Sequence, residues 1–230
     1  MSRSKVIFVI VEGPSDEAAL GAIMNRIHAG SSVHVKVMHR DITSDSRVNP
    51  NNIVAEIGKA VNEYIKNYYL KRTDFAKVIH IIDTDGAFIP DDGVIFDAAR
   101  KDPFYTETGI YTCSKTGIEE RNHHKSANIR RLHSLPVVLK SIPYQAYYMS
   151  CNLDHALYGK LNSSDKEKAS DAKAFAVTYQ DDIPAFLKFI SESEFSVTGD
   201  YAESWQYIMD GLHSLERHTN LGICFKKPDK

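Results

Sequence analysis

The chain has 230 residues, 43% hydrophobic and 25% charged, which bounds it to one large domain, or a core with an appended lobe, of an ordinary soluble protein. A formal net charge of -2 excludes a whole-molecule attraction to nucleic acid, so any such contact must rest on a local patch. Three cysteines (Cys113, Cys151, Cys224), far apart and without CxxC spacing, exclude a disulfide framework and read as buried free thiols in a reducing cytoplasm. The apolar run before Glu12 is too short for a membrane span and lacks a small-residue cleavage site, so a cytoplasmic location is expected.

Residues 5–11 form a continuous apolar run, the pattern of a strand buried on both faces. Gly13 and Pro14 make a turn, Ser15 is the expected helix N-cap, and Asp16 and Glu17 fall in the first turn, where the helix dipole favours negative charge. Leu20, Ile23, Met24 and Ile27 then mark one helix face. Val33 to Met38 predicts a second strand, and Asp41 to Asn52, rich in Asp, Ser and Asn, a loop. Ile53, Ile57, Val61, Tyr64, Ile65 and Tyr68 lie on one side of a long helix, and Val78 to Ile82 predicts the next strand.

An acidic turn and a loop through Gly93 follow, with Asp91 and Asp92 as turn residues. Gly109 to Thr112 predicts a short strand, the middle of 115–140 a helix, and Tyr144 to Met149 another strand. Beyond Asn152 the pattern is helical, with one stripe at Ile183, Phe186, Leu187 and Ile190 and another at Trp205, Ile208, Met209 and Leu212. The order predicts an α/β fold with a mostly parallel sheet and helices on both faces over 1–150, and a helical C-terminal extension over 151–230 packed on it.

Two of the predicted strands end abruptly on carboxylates: one at Glu12-Gly13, the other at Asp83-Thr84-Asp85-Gly86. Ligands of open parallel sheets bind at the carboxyl ends of the strands, so Glu12, Asp83 and Asp85 are expected to converge there. If the strand continues through Asp83 and Asp85, both side chains point the same way. Carboxylates that close repel one another unless a divalent cation sits among them, which predicts a Mg2+ (or Mn2+) site.

This pattern resembles the TOPRIM domain shared by topoisomerases, DnaG-type primases and OLD-family nucleases: an apolar strand ending in Glu-Gly, then Asp-x-Asp after a later strand. The resemblance covers roughly residues 5–150 and implies a TOPRIM/Rossmann-like fold. Asp16 matches an acidic residue at the start of the first helix in the OLD-like branch. Asp154, after the strand closing at Met149, is the best match to a late acidic ligand, with Asp where Glu is expected; Asn152 is a weaker match. The motif Ile-Ile-Asp-Thr-Asp-Gly is also similar to the nucleophile motif of haloacid-dehalogenase-type phosphatases, but Ala87 departs from that pattern and Glu12-Gly13 would be left unexplained. With no GxxxxGK[ST] phosphate loop, the resemblance implies a stand-alone TOPRIM unit, with a separately encoded ATPase as a possible partner.

Between 115 and 140 the sequence gathers Lys115, Arg121, Lys125, Arg130, Arg131 and Lys140. Such a stretch is either a salt-sensitive phosphate-binding surface, with Arg121, Lys125, Arg130 and Arg131 as the contacts, or a solvated helix. Lys115 is the candidate to stabilise a phosphoryl transition state. The adjacent His123 and His124 read as a surface pair. The expected function is a divalent-metal-dependent nuclease acting on DNA or RNA, with Glu12, Asp83 and Asp85 catalytic beside Lys115 and with Glu12, Asp16, Asp83, Asp85 and Asp154 as metal ligands; the resemblance adds phage defence or repair as a setting. The alternative is a non-catalytic, TOPRIM-like regulatory or partner subunit binding a nucleotide or an ATPase. A homodimer is compatible with either.

Overall fold

The computed structural model describes residues 5–29, 32–37 and 41–226. Strand β1 (Val6–Val11) leads through helix α1 (Pro14–Ile27) to β2 (Ser32–Val37), and α2 (Ile53–Asn67) leads to β3 (Phe75–Asp83). Three short strands follow, β4 (Val94–Phe96), β5 (Phe104–Thr106) and β6 (Gly109–Thr112). Next come α3 (Lys115–His133), β7 (Val137–Val138), β8 (Ile142–Met149), and helices α4 (Leu153–Tyr158), α5 (Asp165–Tyr179), α6 (Ile183–Glu192) and α7 (Tyr201–Ile208). The expected end of the second strand, Met38, lies outside the described residues.

The main sheet has the order β2-β1-β3-β8-β7, with the first four strands parallel and β7 antiparallel at the edge. The chain is therefore α/β, with a mixed, mostly parallel sheet of Rossmann-like type. A second sheet, β4-β6-β5, stands apart from the first. No helix among the described residues is long and apolar enough to cross a membrane.

Alternation along β1 explains the layering, because successive side chains point to opposite faces. Phe8 and Ile10 join Ile57 and Val61 of α2, Ile129 and Leu132 of α3, and Trp205 and Ile208 of α7. Ile7, Val9 and Val11 join Leu20 and Ile23 of α1, Phe175 of α5, and Phe186 and Ile190 of α6. The C-terminal helices are thus divided between the two faces of the sheet.

Several elements depart from the sequence reading. The first helix begins at Pro14 with Gly13 as N-cap, two positions before the expected Ser15 region, because proline presets the φ of a first helical residue. Strands β4, β5 and β7 were not predicted; each has three residues or fewer, too short for a periodic signal. Helix α7 ends at Ile208, and Gly211 with φ 51° turns the chain, so Leu212 lies outside the helix and packs beside the small sheet. Cys151 is buried and Cys224 half-buried, but Cys113 is exposed at the turn into α3, contrary to expectation.

Trp205 is fully buried, stacked on His133 with ring centroids 5.3 Å apart and edge-on to Tyr148 at 5.1 Å. It belongs to the core. Trp205→Ala is expected to cost about 3–5 kcal/mol in urea unfolding, the usual range for a truncated core aromatic. A loss below about 1 kcal/mol would show that α7 contributes little to the fold.

Candidate metal centre

The parallel strands deliver their carboxyl ends to one edge, and the acidic residues gather there. Glu12 follows β1 directly and Asp83 ends β3. Beyond Asp83 the chain does not stay extended: Asp85 has φ 46° and Gly86 φ 66°. The Asp85 N–H donates to the Cys151 carbonyl at 2.7 Å, fixing this left-handed turn. Gly86 is required there, because a Cβ would also lie 2.5 Å from the Leu215 side chain.

The turn separates the two aspartates. Carboxylate oxygens of Glu12, Asp41 and Asp85 lie within 4.8 Å of one another. Asp83 stands outside this group and feels Asp16 as its strongest charged neighbour. The condition for a shared orientation of Asp83 and Asp85, a strand running through both, is not met: the strand stops at Asp83 and Asp85 takes a positive φ, though both residues line one cleft. Asp16 and Asp154 are not among the three either. Asp16 accepts the Gly13 N–H at 2.9 Å, closing the start of α1, and Asp154 has Lys168 3.7 Å away.

Asp41 was missed by the sequence reading, which placed it in a loop. Its Oδ1 accepts from the Thr43 N–H at 2.9 Å and hydroxyl at 2.6 Å, a local turn that leaves Oδ2 facing the cluster. The Asp-x-Thr-Ser run after a strand that neighbours β1 was the available signal.

At the centre is Lys125, whose side chain is fully buried. Its Nζ donates to Asp41 Oδ2 at 2.6 Å and Asp85 Oδ2 at 2.5 Å, with Glu12 Oε2 3.8 Å away. It is therefore not a surface contact for nucleic acid. A pattern for it existed: Ile118, Asn122, Lys125, Ile129 and Leu132 recur at helical spacing and are all buried. The neighbouring side chains of α3 hold the loops around it. Arg121 donates to the Asp85 carbonyl at 2.8 Å and to the Tyr105 hydroxyl, and buried Asn128 donates to the carbonyls of Thr43 and Val48.

The other basic candidates lie elsewhere. Lys115 sits ten positions before Lys125, about 15 Å along the helix at 1.5 Å per residue, and pairs with Glu119 at 3.6 Å. The cation beside the carboxylates is thus Lys125, not Lys115. Arg130 and Arg131 are exposed, and Arg130 lies over the Phe88 ring. His123 pairs with Asp91 while His124 meets the Asp45 carbonyl, so the two imidazoles face different partners.

Electrostatics divides the cluster. Burial alone would lower the Lys125 pKa, but Asp41, Asp85 and Glu12 outweigh it and hold the ammonium well above its ordinary value. Burial would raise Asp41, yet the Lys125 charge and hydrogen bonds bring it below the usual carboxylate range. Glu12 is the opposite case: burial, then the Asp41 charge, push its pKa well up, and its Oε1 is buried without a hydrogen-bond partner. Asp83 is raised as well, first by burial and then by Asp16 and Asp85. Hard oxygen donors around an orphaned carboxylate oxygen are a set that could hold a divalent cation such as Mg2+ or Mn2+.

Comparison with models of known protein families, with curated proteins and with solved structures gives no match.

Asp16 supplies a check on this charge balance. Burial raises its pKa from 3.8 to about 6 against the lowering effect of the Gly13 N–H. A folded pKa above the unfolded one contributes stability that is complete below about pH 4 and is lost as pH rises through about 6. Asp16→Asn, unfolded in urea with EDTA, is expected to be more stable than wild type at alkaline pH, by up to about 3 kcal/mol, with the gain vanishing near pH 4. No gain at alkaline pH would mean that Asp16 ionises without penalty.

Proposed function

We propose that this chain is a divalent-metal-dependent phosphoryl-transfer enzyme of TOPRIM-like type, acting as a nuclease on nucleic acid. The observation that carries the reading is the meeting of Glu12, Asp41 and Asp85 within 4.8 Å around the ammonium of Lys125. Glu12-Gly13 after β1 and Asp83-Thr84-Asp85 after β3, on neighbouring parallel strands, support the TOPRIM-like part.

In this reading Glu12, Asp41 and Asp85 hold Mg2+ or Mn2+, which when bound supplies a nucleophilic water and charge stabilisation at phosphorus. The remaining chemistry belongs to the chain. Lys125 stays protonated and, buried among the carboxylates, fixes the Asp41 and Asp85 oxygens in place. Glu12, with its pKa lifted by burial and by the Asp41 charge, is the candidate acid or base. Arg121 and Asn128 reach neither water nor phosphate in this scheme; they fix the turns that present Asp85 and Asp41.

One observation favours the second reading, a non-catalytic TOPRIM-like subunit: Lys125 already bridges Asp41 and Asp85 and offsets part of their charge. The two readings differ in measurable ways. A nuclease cuts plasmid DNA or RNA in Mn2+, and Asp85→Asn or Glu12→Gln lowers the rate by on the order of a hundredfold or more while the fold persists. Equal rates in wild type and Asp85→Asn would end the proposal. Lys125→Met is expected to lose about 3–5 kcal/mol in EDTA by stranding two buried charges. Added Mn2+ should restore part of that loss, and an unaltered melting curve on adding Mn2+ would argue for a purely structural ion cluster.

A further inference from the structure

Beside the carboxylates opens a cleft of about 720 Å³ whose floor includes Asp83 and Asp85. One wall is the segment from Ala99 through Tyr105, entering β5; the other is the α4–α5 connection and the first turn of α5. Asn162 joins the walls as a strand would: its Oδ1 accepts the Tyr105 N–H at 2.9 Å and its Nδ2 donates to the Tyr105 carbonyl at 2.8 Å. The cleft is thus tied across rather than left as a gap between loops.

Its chemistry is polarised. The floor is acidic, and the walls carry Arg100, Lys101 and Lys168 beside two carboxylates, Asp102 and Glu167, the latter held by the Ser164 N–H and hydroxyl. The Arg100 guanidinium lies over the Phe104 ring, 3.9 Å from its centroid, giving a flat cationic and aromatic surface that remains half-exposed. Ser163 lines the cleft with a hydroxyl shielded from solvent and without a hydrogen-bond partner. Tyr105 is fixed by Arg121, the same side chain that holds the Asp85 carbonyl, so this wall and the metal-binding turn share one anchor.

A simple anion would be repelled by the floor, and a simple cation would make no use of Arg100, Lys101 and Lys168. The ligand that satisfies both carries phosphate for the cations and Ser163, a flat ring for Arg100 and Phe104, and a bridging metal for the carboxylates. The volume suits one or two nucleotides and is far too small for a duplex. We propose that this cleft is a nucleotide-binding subsite that takes an unpaired nucleotide unit, stacked on Arg100 and Phe104 with its phosphate toward Lys168 and Ser163. The inference deepens the phosphoryl-transfer reading and rests on it for the metal at the floor. It moves the nucleic-acid contact away from the α3 arginines expected from sequence.

The test measures binding without turnover, in Ca2+, using a short fluorescein-labelled single-stranded oligonucleotide, with a free nucleoside monophosphate as competitor and a blunt duplex for comparison. Wild type is expected to prefer the single strand over the duplex, with affinity falling as salt rises. Arg100→Ala/Phe104→Ala is expected to weaken single-strand binding roughly tenfold or more, the scale of one lost stacking contact. Mn2+ affinity by calorimetry and the melting temperature should stay at wild-type values, which separates a lost subsite from a lost fold. Competition by the monophosphate assigns the subsite to any free nucleotide, and its absence assigns it to nucleotides within a strand; either supports the proposal when the double variant is weak. Equal single-strand affinity in wild type and double variant overturns it, as does a wild type that binds neither probe or binds the duplex more tightly. Binding that depends on Arg100 and Phe104, without any cleavage in Mn2+, would leave the subsite standing and remove the nuclease reading alone.

Discussion

The architecture of the strand-tip edge depends on one buried cation. Withdrawing the Lys125 ammonium from water costs several kcal/mol, and only close carboxylates on more than one side offset that cost. Two of them come from segments far apart in sequence, the loop at Asp41 and the turn at Asp85, so the ion cluster acts as a clasp. It draws the residues after β2, the residues after β3 and the middle of α3 to a common point. The hydrogen bonds from Asn128 to the Thr43 carbonyl and from Arg121 to the Asp85 carbonyl serve that geometry.

The clasp also defines what the cluster lacks. Three carboxylates and one ammonium leave a formal charge of -2 when all are ionised, the charge that one divalent cation cancels. Asp41 and Asp85 are hydrogen-bonded by Lys125 while Glu12 is not, so burial and then the Asp41 charge raise the Glu12 pKa whereas Lys125 brings that of Asp41 down. A metal entering here would gain most from Glu12 and would share Asp41 and Asp85 with the lysine. Backbone strain is concentrated at the same place. Asp85 and Cys151, both non-glycine residues, adopt positive φ on adjoining turns, a conformation that persists only when its surroundings enforce it. The enforcement comes from the C-terminal segment, where Ser214 and His218 carbonyls receive the N–H groups of Cys151 and Ser150. Residues beyond 210 thus hold a turn that presents Asp85.

What could be read from the sequence followed from how each residue earns its place. Glu12 and the Asp83/Asp85 pair stood out because continuous apolar strands stop at them, and strand ends in a parallel sheet meet by topology. The fold class followed from the same runs. Asp41 gave no such signal: it sits in a segment of turn-forming residues where a carboxylate usually serves only its own backbone, as its Oδ1 does here. Lys125 was hidden by composition. In a helix crowded with basic residues, a lysine reads as solvated, and only its position on the stripe with Ile118, Ile129 and Leu132 marks it as inward. The parting of Asp83 from Asp85 depended on a dihedral angle that no spacing rule reveals.

The separation of Asp83 from Asp85 has a chemical meaning of its own. Asp85 bonds the lysine of the clasp, while Asp83, with Asp16 and Asp154, loads an adjoining flank of the strand tips with negative charge at high electrostatic cost. Burial raises the pKa values of all three members of that flank, and among them Asp154 keeps a buried Oδ1 without a hydrogen-bond partner. A protein that sought only stability would place amides or apolar groups there, since replacing buried charge in this way is often neutral or favourable. The cost is concentrated where the cleft meets the strand ends; Lys168 on the cleft wall offsets part of it at Asp154, 3.7 Å away, while Arg100 and Lys101 stand on the opposite wall. Buried acid at the strand tips beside a cleft wall of mixed charge is an arrangement completed by a ligand carrying both signs, and the metal-bound phosphate of a nucleotide is the simplest such ligand.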